Sequence, residues 1–223
     1  MAEIGVYEAM RTLRAVRRLK PDPIPAEVLH RVLEAATWAP TGGNRQPWRI
    51  IAVKDREKKA RLGVLYRGVW AGFAKMYRKR LDALPEAARH TMEKMMNAGE
   101  YLAEHFGEAP VICIFCFNPQ DMAITDAKLD RVSVVGGGSV YTAVENLLLA
   151  CRAEGLGCVL TTLLCECEPE VRDLLNIPQP WGTAAAIPIG YPMLRGHGPI
   201  TRRSVEELTF TDTWGQAFTN DPM

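Results

Sequence analysis

Five cations and no acid fall within the ten residues Arg11–Lys20, RTLRAVRRLK. The chain as a whole is nearly neutral, with 27 Lys and Arg against 26 Asp and Glu, so the excess is local. Such a run either forms a solvated helix face or draws an anion. Arginine suits the second role, because its planar fork binds phosphate oxygens in pairs. A second basic pair, Arg202-Arg203, follows a Gly/Pro loop far along the chain, and two clusters so distant in sequence can converge on one phosphate. Between them, Ala39–Trp48 (APTGGNRQPW) gathers two glycines, a hydroxyl and two carboxamides in one loop. Its Asn and Gln offer donors and acceptors together, which matches the mixed edge of a planar heterocycle. The same composition also makes an ordinary turn.

Other chemistries find no support. Gly136, Gly137 and Gly138 are not a dinucleotide fingerprint, because the third glycine falls at Tyr141, and no Gly-Lys-Ser/Thr follows to make a phosphate loop. His30, His90, His105 and His197 have no Asp or Cys partner at motif spacing, so a nucleophilic triad is not indicated. Cys113 and Cys116 spell C-x-x-C, but on a strand residues three apart point to opposite faces. All six cysteines read as buried free thiols of a reducing compartment, and no metal site is expected.

These residues must be carried by a chain of 223 residues that is 48% hydrophobic and 24% charged, enough to bury roughly 70% of its unfolded surface. The net charge of +1 gives no reason to expect nucleic acid or an anionic membrane. The N-terminus lacks an apolar signal core, and no apolar run approaches the roughly 20 residues of a membrane helix. A cytoplasmic protein is expected. No repeat, low-complexity tract or linker divides the chain, so residues 1–223 read as one domain.

Apolar periodicity predicts a helix from Ile4 to about Arg14, with Arg11, Arg14 and Arg18 on its outer face, and a second from about Ala26 to Trp38. WRIIAVK is a strand. Val64 to Phe106 is helical and rich in Met and aromatics, either as core or as a mobile cap over a pocket for flat ligands. VICIFCF is a buried strand, and GGGSVYTAVENLLLACRAEGLG is a central helix bounded by glycines. CVLTTLL starts the next strand, Glu168 to Leu175 a short helix, and TAAAIPIGYP the last core strand. Interleaved strands and helices imply a sheet with helices on both faces.

Taken together, these segments resemble the FMN-dependent nitroreductase superfamily along nearly the whole chain. Leu13 through Leu19 is similar to its opening Arg-Arg-Ser-x-Arg-x-Phe, and Ala39 through Trp48 to its Ala-Pro-Ser-x-x-Asn-x-Gln-Pro-Trp. Ala143 through Gly157 resembles its buried helix ending in Gly-Leu-Gly. Ile189 to Pro192 and Arg202-Arg203 resemble its closing Ile-Gly-Tyr-Pro and later Arg-Arg. Leu13 and Ala15 depart from the pattern, replacing an arginine and a serine.

The resemblance implies an α+β, three-layer α-β-α fold with a central mixed sheet, an intertwined homodimer, and a helical cap at about 64–106. It implies FMN at the interface, held at its phosphate by Arg14, Arg17 and Arg202, with Arg203 a further candidate and Ala15 beside them. Pro40, Thr41, Asn44 and Gln46 are expected from the partner chain, and Thr161 and Thr162 along the flavin. Arg17 is the candidate for the ring edge that gains charge on reduction. The implied activity is ping-pong transfer of hydride from NADH or NADPH to a small acceptor of nitroaromatic, quinone or enone type, with the chemistry on the cofactor and no catalytic side chain. The alternatives are a non-catalytic flavin-binding or regulatory protein, or a specialised dehalogenase or dehydrogenase.

Overall fold

The computed structural model describes residues 4–81 and 83–219. Its architecture turns on strand β2 (Val111–Phe117), whose unbroken apolar run is buried on both faces. Alternation divides that strand between two cores. Val111, Cys113 and Phe115 face one cluster with helices α2 (Ala26–Thr37) and α5 (Gly138–Ala153). Ile112, Ile114 and Cys116 face a second cluster with α3 (Arg56–Leu81), α4 (Glu86–His105) and α6 (Glu168–Leu175). The two thiols of C-x-x-C therefore lie on opposite faces, as the strand reading requires, and the fold is three-layered.

Strand β1 (Trp48–Val53) pairs antiparallel with β2, β2 with β4 (Gly182–Gly190), and β4 with the two-residue β3 (Gly157–Cys158), in the order β1-β2-β4-β3. The parallel contribution is an isolated bridge between Ala15 and Cys158.

The differences from the sequence expectation lie around the site. Helix α1 (Val6–Thr12) ends before Arg14, and the chain from Leu13 runs extended. After Cys158 the expected strand stops. Thr161 touches β4 once, across from Ala186, and Leu163–Cys167 coils into a 3-10 turn. All six cysteines are free, but Cys165 and Cys167 are half-buried rather than buried. The link from β2 to α5 is organised by Asp126, 5% exposed, whose carboxylate accepts from Arg131 Nη1 (2.7 Å), Ser133 Oγ (2.6 Å) and the Val134 amide (3.3 Å). A short helix, α7 (Val205–Leu208), lies in the C-terminal segment, closed by a Ser204–Glu207 capping box. Among the described residues no helix is long and apolar enough to cross a membrane.

Candidate functional site

The basic segment is a strip, not a helix face. Val16 N donates to Cys158 O at 2.9 Å, and Lys20 N donates to Tyr191 O at 2.7 Å, so residues 15–20 lie along the outer edge of the sheet. Gly157 permits this approach, since a Cβ there would stand 2.6 Å from Val16 Cγ1. Val16 turns into the protein, Arg14 and Ala15 are exposed, and Arg17 is half-buried. Arg18 is occupied elsewhere, its guanidinium 3.8 Å above the Tyr101 ring.

Arg17 and Thr161 meet in a cavity of about 180 Å³. Its walls are Tyr66, Trp70, Phe73 and Tyr77 on one face of α3 and Met95, Gly99 and Leu102 on one face of α4, with Val159–Thr161 as the floor. Both sets recur at helical spacing, which is why one helix face supplies each wall. Tyr66 stacks on Phe106 (centroids 4.2 Å, 7° between planes), and Thr161 Oγ1 donates to Tyr66 Oη over a long 3.4 Å. Burial pushes the Tyr66 phenol up; the Thr161 bond and the Arg17 charge oppose this only in part. The phenol therefore stays protonated at neutral pH.

Thr162, which opens the Leu163–Cys167 turn with φ −109° and ψ 4°, lies away from that cavity. It lines a second cavity of about 500 Å³ with Gly136, Gly137, Tyr141 and Cys165, at the N-terminal end of α5.

The loop Pro40–Gln46 lies at that same end. Gly42 N donates to Ser139 Oγ (3.1 Å) and Thr142 Oγ1 to Pro40 O (3.3 Å). Gly43, Asn44 and Gln46 all have left-handed backbone angles (φ 58°, 53° and 48°). Two of these are not glycines, so local strain is being held in place. The holding contacts are internal: Gln46 N donates to Thr41 Oγ1, and Gln46 Nε2 to the Asn44 backbone and side-chain oxygens. Gln46 thus shapes the loop, while Asn44 keeps its amide donor.

The arginine strip belongs to the opposite end of α5, where Arg152 Nε donates to Thr12 Oγ1 at 2.8 Å. Ser139 and Arg152 are thirteen residues apart on α5, a rise of about 20 Å. One chain therefore does not bring the loop to the strip. The late arginines are nearer. Gly198 N donates to Thr12 O at 3.1 Å, and a Cβ on Gly198 would sit 3.9 Å from Arg14 Nη1. Four residues further on stands Arg202, a reach of at most about 14 Å. Among the described residues none of Arg14, Arg17, Arg202 and Arg203 pairs with a carboxylate, whereas Arg31, Arg45, Arg78, Arg131 and Arg152 do. Unneutralised guanidiniums on an extended strip fit a phosphate, and the aromatic-walled cavity beside them fits a planar ring.

Sequence reasoning missed Gly99 and Asp126. A lone glycine inside the helical text around position 99 was the available signal for the first; nothing local marks Asp126 as a buried hub.

Comparison with known proteins identifies the family and the fold. Iodotyrosine deiodinase 1 of Rattus norvegicus is 27% identical over 206 residues, covering 92% of this chain and 68% of that protein. The 5,6-dimethylbenzimidazole synthase of Rhodospirillum rubrum is 31% identical over 195 residues, covering 84% and 82%. The crystal structure of an iodotyrosine deiodinase bound to FMN and 3-iodo-L-tyrosine superposes with a TM-score of 0.68 at 24% identity, over 90% of this chain and 96% of that one, a likeness of fold. The sequence model of the Nitroreductase family matches residues 10–191, from the basic strip to the end of the last strand, and the chain belongs to that family.

Proposed function

We propose that the protein is an FMN-dependent oxidoreductase that takes hydride from NADH or NADPH and delivers it to a small conjugated acceptor. The observation that carries this reading is the meeting of Arg17 and Thr161 in one cavity walled by the aromatic face of α3 and the apolar face of α4. FMN, when bound, supplies the hydride and electron chemistry that no side chain here can perform. Arg14 and Arg202 hold the phosphate as charge-assisted forks. Arg17, closer to the cavity, favours negative charge on the ring edge it faces, a preference worth more in a partly desolvated site. Tyr66 and Thr161 keep neutral hydroxyls at the floor, and α3 with α4 acts as the cap that excludes water and orients the acceptor.

The complete site needs two chains, because the strip and the Pro40–Gln46 loop stand at opposite ends of α5. A homodimer also explains why α5, so apolar, leaves Tyr141 42% exposed, and why Trp214 is 92% exposed. We place the protein in the cytoplasm, where its free thiols stay reduced.

The test is optical. Protein loaded with FMN should be yellow, bleach anaerobically on addition of NADH or NADPH, and regain colour with a quinone or nitroarene. Colourless protein that cannot be reconstituted with FMN refutes the reading, and yellow protein that neither nucleotide bleaches favours a non-catalytic flavin-binding role.

A further inference from the structure

Ser139 holds the Pro40–Gln46 loop at one end of α5, and Arg152 holds the arginine strip at the other. Halfway between them stand Glu145 and Asn146. Asn146 is turned toward α2, its Nδ2 donating to Ala35 O at 3.2 Å. Glu145 is exposed and, among the described residues, has no ion pair or side-chain hydrogen bond. The surface around it is apolar: Val6, Trp38 and Tyr141 are 58%, 71% and 42% exposed. The charged groups of the packed elements are engaged with one another or are themselves acidic. On α2, Arg31 is held by both oxygens of Glu154 at 2.8 Å, and Glu34 is an acid. On α1, Glu8 faces Arg11 and Arg152.

A site built from the strip of one chain and the loop of its partner occurs twice in a twofold dimer. Each end of α5 then lies beside the opposite end of the partner's α5, so the two helices run antiparallel and the axis passes their middle. A residue at a twofold axis faces its own copy. Helices packed 8–10 Å apart, with Cα atoms at a radius of about 2.3 Å, leave facing Cα atoms about 4–5 Å apart. Two carboxylates that close do not both stay ionised; repulsion raises one pKa, and the pair holds a single proton. Partial burial already pushes the Glu145 carboxyl up, with no neighbouring charge opposing it.

We propose that Glu145 and the partner's Glu145 share one proton at the dimer axis, so that the α5–α5 contact is tighter in acid than in alkali, an inference that rests on the two-chain site proposed above. The paired carboxyls bind a proton more tightly than separate chains do. Their contribution to association is therefore fully present below the carboxyl pKa of separate chains and is lost as pH rises through the higher value of the pair. Because each flavin site draws on both chains, alkali loosens FMN by the same route.

The experiment compares FMN-loaded native protein with Glu145→Gln and Glu145→Cys. Dissociation is followed as subunit exchange between batches carrying different fluorophores. Native exchange should accelerate roughly tenfold or more from pH 6 to 8.5, as loss of one stabilising proton requires, and exchange of Glu145→Gln should be flat. The infrared spectrum of the native dimer at pH 6 should hold a protonated-carboxyl stretch that Glu145→Gln lacks. Facing Cα atoms at this separation suit a disulfide. Mild oxidation should therefore join Glu145→Cys chains covalently, under conditions that leave the buried and half-buried native thiols unlinked. A Glu145→Gln dimer with native pH dependence overturns the proposal, and so does a Glu145→Cys dimer that stays non-covalent; either result leaves the FMN reading standing. Monomeric protein that still holds FMN overturns the two-chain site and this inference with it.

Discussion

Arg14 stands beside Gly198, and the chain that passes there reaches Arg202 four residues later, so both guanidiniums are expected on one phosphate. Each charge-assisted contact is worth about 1.5–3 kcal/mol. Arg14→Ala and Arg202→Ala should therefore each weaken FMN roughly ten- to over a hundredfold, while riboflavin, which lacks the phosphate, should be nearly indifferent. Because both touch the same dianion, the double variant should depart from the sum of the singles. Fluorescence titration of both flavins across the four proteins checks this, and equal losses for riboflavin refute the phosphate assignment. His197 carries a different expectation. Its two ring nitrogens are buried without a well-formed hydrogen bond. Burial first, and then the Arg152 charge, hold its pKa below the ordinary 6.5, with the Gly155 carbonyl opposing them. The folded state thus prefers the neutral ring. Its full stability is present above about pH 6.5, the unfolded value, and declines as pH falls through the lower folded value. Urea midpoints between pH 7.5 and 5 should fall for the native protein and fall less for His197→Gln; parallel curves count against this role.

At the scale of elements, α3 and α4 supply most of the aromatic wall but none of the candidate phosphate ligands. Phe73→Ala and Tyr77→Ala should shift relative kcat/KM among nitroarene, quinone and enone acceptors while leaving bound FMN near one per chain. Uniform losses across all acceptors, with FMN retained, would mark these helices as purely structural. How legible each element was follows from where its stabilisation arises. The run at β2 and the apolar pattern of α5 declared themselves because burial alone dictates those residues. Residues 159–167 did not. Thr161 and Thr162 have good strand propensity, but Val159 turns into the α3–α4 core and the chain leaves β4 after a single bridge, so packing overrides a local preference. The end of α1 misled for the converse reason. Arg14 and Arg18 fit a helical face, yet pairing of Ala15 and Val16 with Cys158 draws the segment into an extended strip. Gly99 was visible in the sequence only as a blemish in a helix, since its meaning depends on the Trp70 indole packed on it, twenty-nine positions away.

For the whole molecule, the decisive length is that of α5. Its N-terminal end carries the Pro40–Gln46 loop and its C-terminal end the arginine strip, so a site that uses both must draw them from different protomers. Light scattering should accordingly give twice the chain mass of 24.8 kDa. A sharper consequence follows from mixing defects. Arg14→Ala damages the strip and Asn44→Ala the loop, so each homodimer should bind FMN weakly at both of its sites. In a heterodimer of the two variants, purified through different affinity tags, one site receives the intact strip of the Asn44→Ala chain and the intact loop of the Arg14→Ala chain. The other site receives both defects. FMN titration of that heterodimer should then show one high-affinity site per dimer with native affinity, and a second site weaker than in either homodimer. If strip and loop instead served a site within one chain, each heterodimer site would carry a single defect. Neither would regain native affinity, and the two-chain construction would have to be abandoned.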